Sequence, residues 1–403
     1  MPAGAAIYTG CMSKFVTALL RLLGGLTTVA AVALTMAAQP QATPQATPQE
    51  PIPYPIWTIE EVATGGYYHA LALDSLDRPH LLYQDTETWS IHYATRDGDA
   101  VSPGEWQLAD IVTNLDPVFG YSYDIAIRPD DTPCLVYALG PSVAPMDTML
   151  VYGCRQAGQW ELTTIDDGGY GVQLAIDADG RPHVALAKDG SIIYLTIMDE
   201  QWWSETVATD SSHIGLVSLT LDSGGRPHLV YRGGDGAFAA VLGSNGIWTK
   251  TPLSRVAFGA PRLDAADRLW MIVPNLRDIG GHPPTYVGEL YLARPDGGSH
   301  TLELVGDGLG PYYHIDYDLA LAGEAPHMVY SNVGGELRYV WWTDEGQQSE
   351  SVGAFTDGWV SIAVGSDGQP RLSFSQENRL RLVTRRIVLL DESVALPFVV
   401  GSP

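Results

Sequence analysis

Hydrophobic and polar positions alternate along most of this chain with a period of two, and no stretch keeps a helical period. One phrase recurs: an apolar run, an Asp-rich turn, Pro-His, then a second apolar run. The copies are LALDSLDRPHLLY (71–83), IAIRPDDTPCLVY (125–137), LAIDADGRPHVAL (174–186) and LTLDSGGRPHLVY (219–231), then PRLDAADRLWMIV (261–273), LALAGEAPHMVY (319–330) and IAVGSDGQPRLSF (362–374). The repeated proline, replaced once by Leu269, recurs at steps of 42 to 57 residues. Each copy is followed by a third apolar strand such as SIHYATR (90–96) or ELRYVWW (336–342). A fourth opens on an aromatic or polar residue with an apolar one five positions later, as in Trp106/Ile111, Trp160/Ile165 and Trp248/Leu253. Four short strands per repeat and seven repeats predict an all-β, seven-bladed β-propeller of four-stranded blades. The seventh copy lacks its fourth strand, and the same pattern stands ahead of the first copy at Trp57–Val62. An N-terminal strand is therefore expected to complete the last blade and close the ring, with 387–393 as the rival for that place.

The turns and the residues after them have structural explanations. Asp74, Asp177, Asp222 and Asp264 fit Asx-capped tight turns rather than calcium loops, which need several oxygens on one ion. His80, His183, His228 and His327 fall on separate blades, so they read as strand-start residues bonded to a neighbouring turn, and no metal site is expected. The third position of the innermost strands is small in six blades and Arg262 in the fifth.

Composition narrows the function. The chain has 403 residues, 22 basic and 47 acidic, a net charge of −25. That balance disfavours nucleic acid and an anionic membrane surface as partners. Residues 1–38 read as a signal peptide: Lys14 and Arg21, an uncharged run from Leu22 to Ala38, then a polar break. An uncleaved anchor is the alternative and the one membrane contact foreseen. Residues 39–55 form a Pro/Gln/Thr-rich linker, 56–386 the propeller and 387–403 a tail. A secreted or cell-surface protein, monomeric, follows from this reading. In that setting Cys134 and Cys154, on adjacent strands of one blade, are expected to form a disulfide, with two buried thiols as the alternative. No nucleotide-binding loop, zinc-protease motif, nucleophile elbow or paired Cys-x-x-Cys occurs, and no cofactor is expected.

The phrases LDSGGRPHLVY and WSIHYATR make residues 56–386 resemble bacterial secreted sialidase-like, or BNR-like, propeller repeat proteins. The resemblance implies the scaffold. It does not carry the sialidase chemistry, because the Ser-x-Asp-x-Gly-x-Thr-Trp box and the Arg-Ile-Pro motif are missing here.

Candidate binding residues lie in the loops leading into the innermost strands, where aromatic rings stand beside polar groups: Tyr67, Tyr68, His69, Tyr121, Tyr170, His213, Tyr312, Tyr313, His314 and Trp359. Such rings suit a glycan or an extracellular protein ligand; the alternative is that they pack between blades. Asp124 and Asp318, each after a tyrosine, are the weak candidates for an acid–base pair at the channel mouth, or for holding water or a cation. Two longer segments, 138–148 and 274–288, are expected to be loops without a regular ladder, serving recognition or tolerated as insertions. The expected function is non-catalytic ligand binding. A glycoside hydrolase or lyase at the channel mouth is the alternative, and a structural envelope module the third reading.

Overall fold

The computed structural model describes residues 52–390, apart from 86, 99–102, 114–121, 140–148, 210–214, 235, 255–258, 279–284, 298, 312–316 and 333. The proposed signal, most of the linker and residues 391–403 lie outside this set. The described chain forms seven four-stranded antiparallel sheets, six of them with their strands in sequence order from the centre outward. Blade 1 is β2 (His69–Leu73), β3 (Pro79–Asp85), β4 (Ser90–Gly98) and β5 (Pro103–Val112). Blade 2 is β6 (Ser122–Ile127), β7 (Pro133–Leu139), β8 (Met149–Gln156) and β9 (Gln159–Asp166). Blade 3 is β10 (Tyr170–Ile176), β11 (Pro182–Lys188), β12 (Ser191–Met198) and β13 (Gln201–Thr209). Blade 4 is β14 (Gly215–Leu221), β15 (Pro227–Gly233), β16 (Gly236–Leu242) and β17 (Trp248–Ser254). Blade 5 is β18 (Gly259–Leu263), β19 (Leu269–Asp278), β20 (Thr285–Asp296) and β21 (Ser299–Pro311). Blade 6 is β22 (Tyr317–Ala322), β23 (Ala325–Ser331), β24 (Glu336–Thr343) and β25 (Gly346–Phe355).

Blade 7 takes three strands from the end of the chain, β26 (Val360–Val364), β27 (Pro370–Ser375) and β28 (Arg379–Leu390). Its outermost strand is β1 (Ile52–Thr64). The β1–β28 ladder runs from Ile52 opposite Leu390 to Thr64 opposite Arg379. The ring is thus closed by the N-terminal strand, and 387–390 continues β28 instead of forming a strand of its own. At each end the ladder extends four residues beyond 56–386.

Alternating side chains on each blade face the two neighbouring blades, and the core is therefore seven apolar seams. Leu81 and Tyr83 of β3 pack with Leu380 and Leu382 of blade 7, while Leu82 packs with Ile125 and Leu135 of blade 2. Recurrent tryptophans seal the outer part of four seams. Tyr93 meets Trp160 edge-on at 5.1 Å, Tyr152 meets Trp202 at 5.2 Å, Tyr194 meets Trp248 at 5.3 Å and Tyr339 meets Trp57 at 5.4 Å.

The turn Asp residues bind their own hairpins. Asp74 Oδ1 accepts from the backbone N–H groups of Leu76 and Arg78, and its Oδ2 from Arg78 Nε at 2.5 Å. His80, His183 and His228 each place Nε2 within 3.3 to 3.4 Å of the turn Asp of the same blade. The turns also join blades. Ser75 donates N–H and Oγ–H to Asp131 of blade 2 (2.8 and 2.6 Å), Ser223 to Asp267 of blade 5 (2.7 and 2.8 Å) and Ser366 to Asp77 of blade 1 (2.7 and 2.8 Å). Those three aspartates sit at left-handed φ of 65°, 58° and 59°, where Gly180, Gly225 and Gly368 stand in other blades. Asp occupies this unfavourable conformation where the preceding turn presents a serine to bond.

Segment 274–288 departs from the expected loop. Pro274 to Asp278 pairs with Tyr286 to Leu290, and Thr285 to Gly288 pairs in turn with β21. The Thr-Tyr-Val run favours strand, and Pro274 breaks no ladder because β18 ends opposite Ile272. Of 138–148, Ala138 and Leu139 are in β7, and 140–148 is outside the described residues.

Candidate functional site

The loops into the innermost strands gather on one face of the ring, the loop face; the β2–β3 type turns form the opposite, turn face. At the seam of blades 7 and 1 the loop face is built around Gly65-Gly66. Both glycines have φ near +90°, and a Cβ on Gly66 would stand 2.6 Å from Leu380 Cβ. The tight passage sets Tyr67 and Tyr68 against Trp359 from the loop before β26. Tyr67 and Tyr68 meet edge-on at 4.9 Å, and Tyr68 lies 5.7 Å from Trp359. All three rings are half-buried. The backbone fixes them: Trp359 N–H donates to the Tyr67 carbonyl, and the Tyr68 carbonyl accepts from Gln84 N–H and from the buried Tyr123 hydroxyl at 2.6 Å.

Beneath the rings lies His69, buried, its Nδ1 donating to the Gly66 carbonyl at 3.0 Å. Burial lowers its pKa, against the pull of the Gly66 and Ser373 backbone and the Asp318 charge, so the ring is neutral. The neighbouring Ser373 hydroxyl is buried without a partner among the described residues. Exposed Asp357 accepts from Ser375 Oγ and from Glu377 N–H beside the platform.

Four of the ten aromatic or histidine candidates thus meet: Tyr67, Tyr68, His69 and Trp359. Tyr170 stands exposed on blade 3 and is not part of this cluster. Tyr121, His213, Tyr312, Tyr313 and His314 lie outside the described residues. Cys134 and Cys154 form the disulfide, bridging paired positions of β7 and β8.

The two channel carboxylates are occupied by backbone. An innermost strand has no partner on its channel side, so its outward N–H groups need acceptors. Asp124 accepts from Ile125 N–H at 2.8 Å and, across the seam, from Leu174 N–H at 2.9 Å. Asp318 does the same for Leu319 (2.8 Å) and Ile362 (3.0 Å), and takes Ser361 Oγ–H as well. Each therefore ties its blade to the next. Every oxygen of both carboxylates accepts an edge N–H, which gives Asp124 and Asp318 a structural role at the strand edge. Burial still pushes the Asp124 carboxyl up to about 6, against the two N–H bonds and the Arg262 charge.

Arg262 was legible only as a break in the repeat. It stands where the other innermost strands carry Ala or Thr, and its Nη2 donates to Asp318 at 3.0 Å. The side chain keeps 37% of its surface exposed, which makes it the cation of the channel wall.

The chain matches no protein-family model and no curated protein sequence. Among solved structures it is similar to a catalytically inactive variant of virginiamycin B lyase from Staphylococcus aureus with quinupristin, at 13% identity and a TM-score of 0.52 over 82% of this chain and 99% of that one. It is also similar to an ulvan lyase of a polysaccharide lyase family bound to a saccharide, at 13% identity and TM-score 0.54 over 80% and 94%. A third is YCF48 bound to the D1 peptide, at 16% identity and TM-score 0.51 over 83% and 99%. Likeness at this identity establishes the shared β-propeller fold.

Proposed function

We propose that this chain is a secreted or surface-displayed propeller that binds a glycan or protein ligand on its loop face without turning it over. The observation that carries the reading is the platform of Tyr67, Tyr68 and Trp359, three half-buried rings held by backbone bonds beside polar Asp357. Rings fixed in advance and partly open are suited to sugar faces and peptide side chains. The engaged oxygens of Asp124 and Asp318 favour binding over hydrolysis. The run from Leu22 to Ala38 and the Cys134–Cys154 disulfide support export. The repeat phrases extend the reading to the sialidase-like propellers, without their activity. Propellers of this shape hold a saccharide in the ulvan lyase and a peptide in YCF48, in keeping with either class of ligand.

One observation favours a second reading, a lyase or hydrolase: a carboxyl held near 6 on the same channel wall as Arg262. The full chain applied to a glycan and peptide array separates the two. Binding weakened at least tenfold by Tyr68→Ala, with no product released, supports the proposal. Product formation abolished by Asp124→Asn overturns it in favour of the enzyme.

A further inference from the structure

The seven repeats serve as internal controls for one another, and at the seam of blades 1 and 2 an arginine stands without the carboxylate that its counterparts Arg96, Arg294 and Arg385 have. On the outermost strands Glu60, Glu205, Glu303 and Glu350 occupy the same register, and each carboxylate bonds into the next blade. Glu60 pairs with Arg96, Glu205 accepts from Trp248 Nε1 and Glu303 from Trp342 Nε1. The seam of blades 6 and 7 is the fullest example. Arg385 lies over the Tyr339 ring at 5.7 Å and Trp57 meets that ring edge-on. Glu350, paired with Tyr339 in the ladder, accepts from both Arg385 Nε (2.6 Å) and Trp57 Nε1 (3.0 Å).

The seam of blades 1 and 2 repeats this arrangement without the carboxylate. Arg155 lies over the Tyr93 ring at 5.3 Å, and Trp160 meets that ring edge-on. The residue paired with Tyr93 in the ladder is Ala109. Among the described residues Trp160 Nε1 is buried with no acceptor and no carboxylate lies within 4 Å of Arg155. Arg294, the other seam arginine without a glutamate across from it, is neutralised by Glu303 on its own blade; the corresponding residue on blade 2, opposite Tyr152, is Thr163. Besides the ring face, the Arg155 guanidinium meets the Tyr93 hydroxyl and, at 3.4 Å, the Gly158 carbonyl, and neither carries a charge.

An open cleft of about 220 Å³ lies at this seam on the turn face, lined by Arg155, Arg78, His80, Gln107, Asp97 and Asp131 among others. Its other charges are spoken for. Arg78 is held by Asp74 and Asp97, Asp97 also accepts from Gln107, and Asp131 accepts from Ser75. Burial, with the charges of Arg78 and Arg155 in support and Asp74 opposed, keeps His80 neutral. Arg155 is left as a cation facing an open, polar hollow in a protein of net charge −25.

We propose that this cleft is a second binding site, for a small hydroxylated carboxylate of the uronate type. The ligand carboxylate takes the place of the glutamate that Ala109 replaces, in a charge-assisted contact with Arg155. Ligand hydroxyls meet Gln107, Asp97 and Thr132 around it. The site is on the opposite face from the aromatic platform and independent of it.

The test is ligand-observed NMR on the full chain with sodium glucuronate, and glucose as the uncharged control. Glucuronate is expected to bind at least tenfold more tightly than glucose. Arg155→Gln removes the anchor, and Ala109→Glu supplies an internal carboxylate that occupies it; each is expected to weaken glucuronate at least tenfold. Ala109→Glu is also expected to raise the thermal midpoint, which shows that it folds. Tyr170→Ala, on blade 3 and outside both sites, leaves glucuronate binding unchanged. Equal binding of glucose, no detectable glucuronate binding, or glucuronate binding untouched by both seam variants overturns the proposal.

Discussion

Asp124 offers a test of the channel wall in which sign and magnitude both follow from the structure. Its carboxyl is pushed up to about 6 by burial, from an ordinary 3.8. A raised carboxyl pKa means that the folded state prefers the protonated form. The associated stability is complete below pH 4 and is lost as pH rises through 6. A shift of about two units corresponds to roughly 3 kcal/mol. The direct pH profile of the wild type does not isolate this, because buried His69, His80, His183 and His327 and half-buried His228 have lowered pKa values. Their stability is present above pH 6.5 and is lost as pH falls, in the same window. The difference between wild type and Asp124→Asn cancels the histidines. Urea unfolding of both, from pH 4 to 7.5, is expected to show the wild-type advantage shrinking by about 3 kcal/mol as pH rises. A flat difference, or a wild-type advantage that grows with pH, refutes the account of Asp124 as a buried strand-edge acceptor and returns it to the solvent-facing channel mouth.

The inter-blade turn bonds predict a contrast at one residue. Asp77→Ala loses the Ser366 bonds and keeps the left-handed strain, for a cost of about 2–3 kcal/mol, whereas Asp77→Gly loses the bonds but relieves the strain and costs about 1 kcal/mol. Equal losses in chemical denaturation contradict this reading of the turn. Removing the disulfide with Cys134→Ser and Cys154→Ser is expected to cost about 3 kcal/mol, given a sequence separation of 20 residues. An unchanged denaturation midpoint under oxidising conditions contradicts that figure.

The fold was readable because each local signal recurs in most of the seven copies. A turn Asp, a Pro at a strand start and a Trp opening the outer strand recur at blade spacing, and the missing fourth strand of the last copy pointed to Trp57–Val62. The disulfide followed, since Cys134 and Cys154 face each other in the ladder. The site was less readable. Tyr67, Tyr68, His69 and Trp359 converge because Gly65 and Gly66 turn the chain across the seam, but convergence between the first and last blades is not a local property. Asp124 and Asp318 read as weak acid–base candidates or as holders of water or a cation, because sequence does not show that innermost strands leave N–H groups needing acceptors. Segment 274–288 looked irregular because of its prolines, and it is partly strand because Pro274 falls beyond the end of β18. Arg262 was visible as an exception within an otherwise small position. Its meaning, and the place of Ala109 opposite Tyr93, needed the register of the blades.

The central claim is that ligand recognition is centred on the seam of blades 7 and 1. The most direct measurement is array binding by the full chain with Trp359→Ala and Tyr170→Ala in parallel. The account predicts at least a tenfold loss for Trp359→Ala and a signal within twofold of wild type for Tyr170→Ala, whose ring stands exposed on blade 3. Binding that survives Trp359→Ala, or that depends on Tyr170 instead, contradicts it.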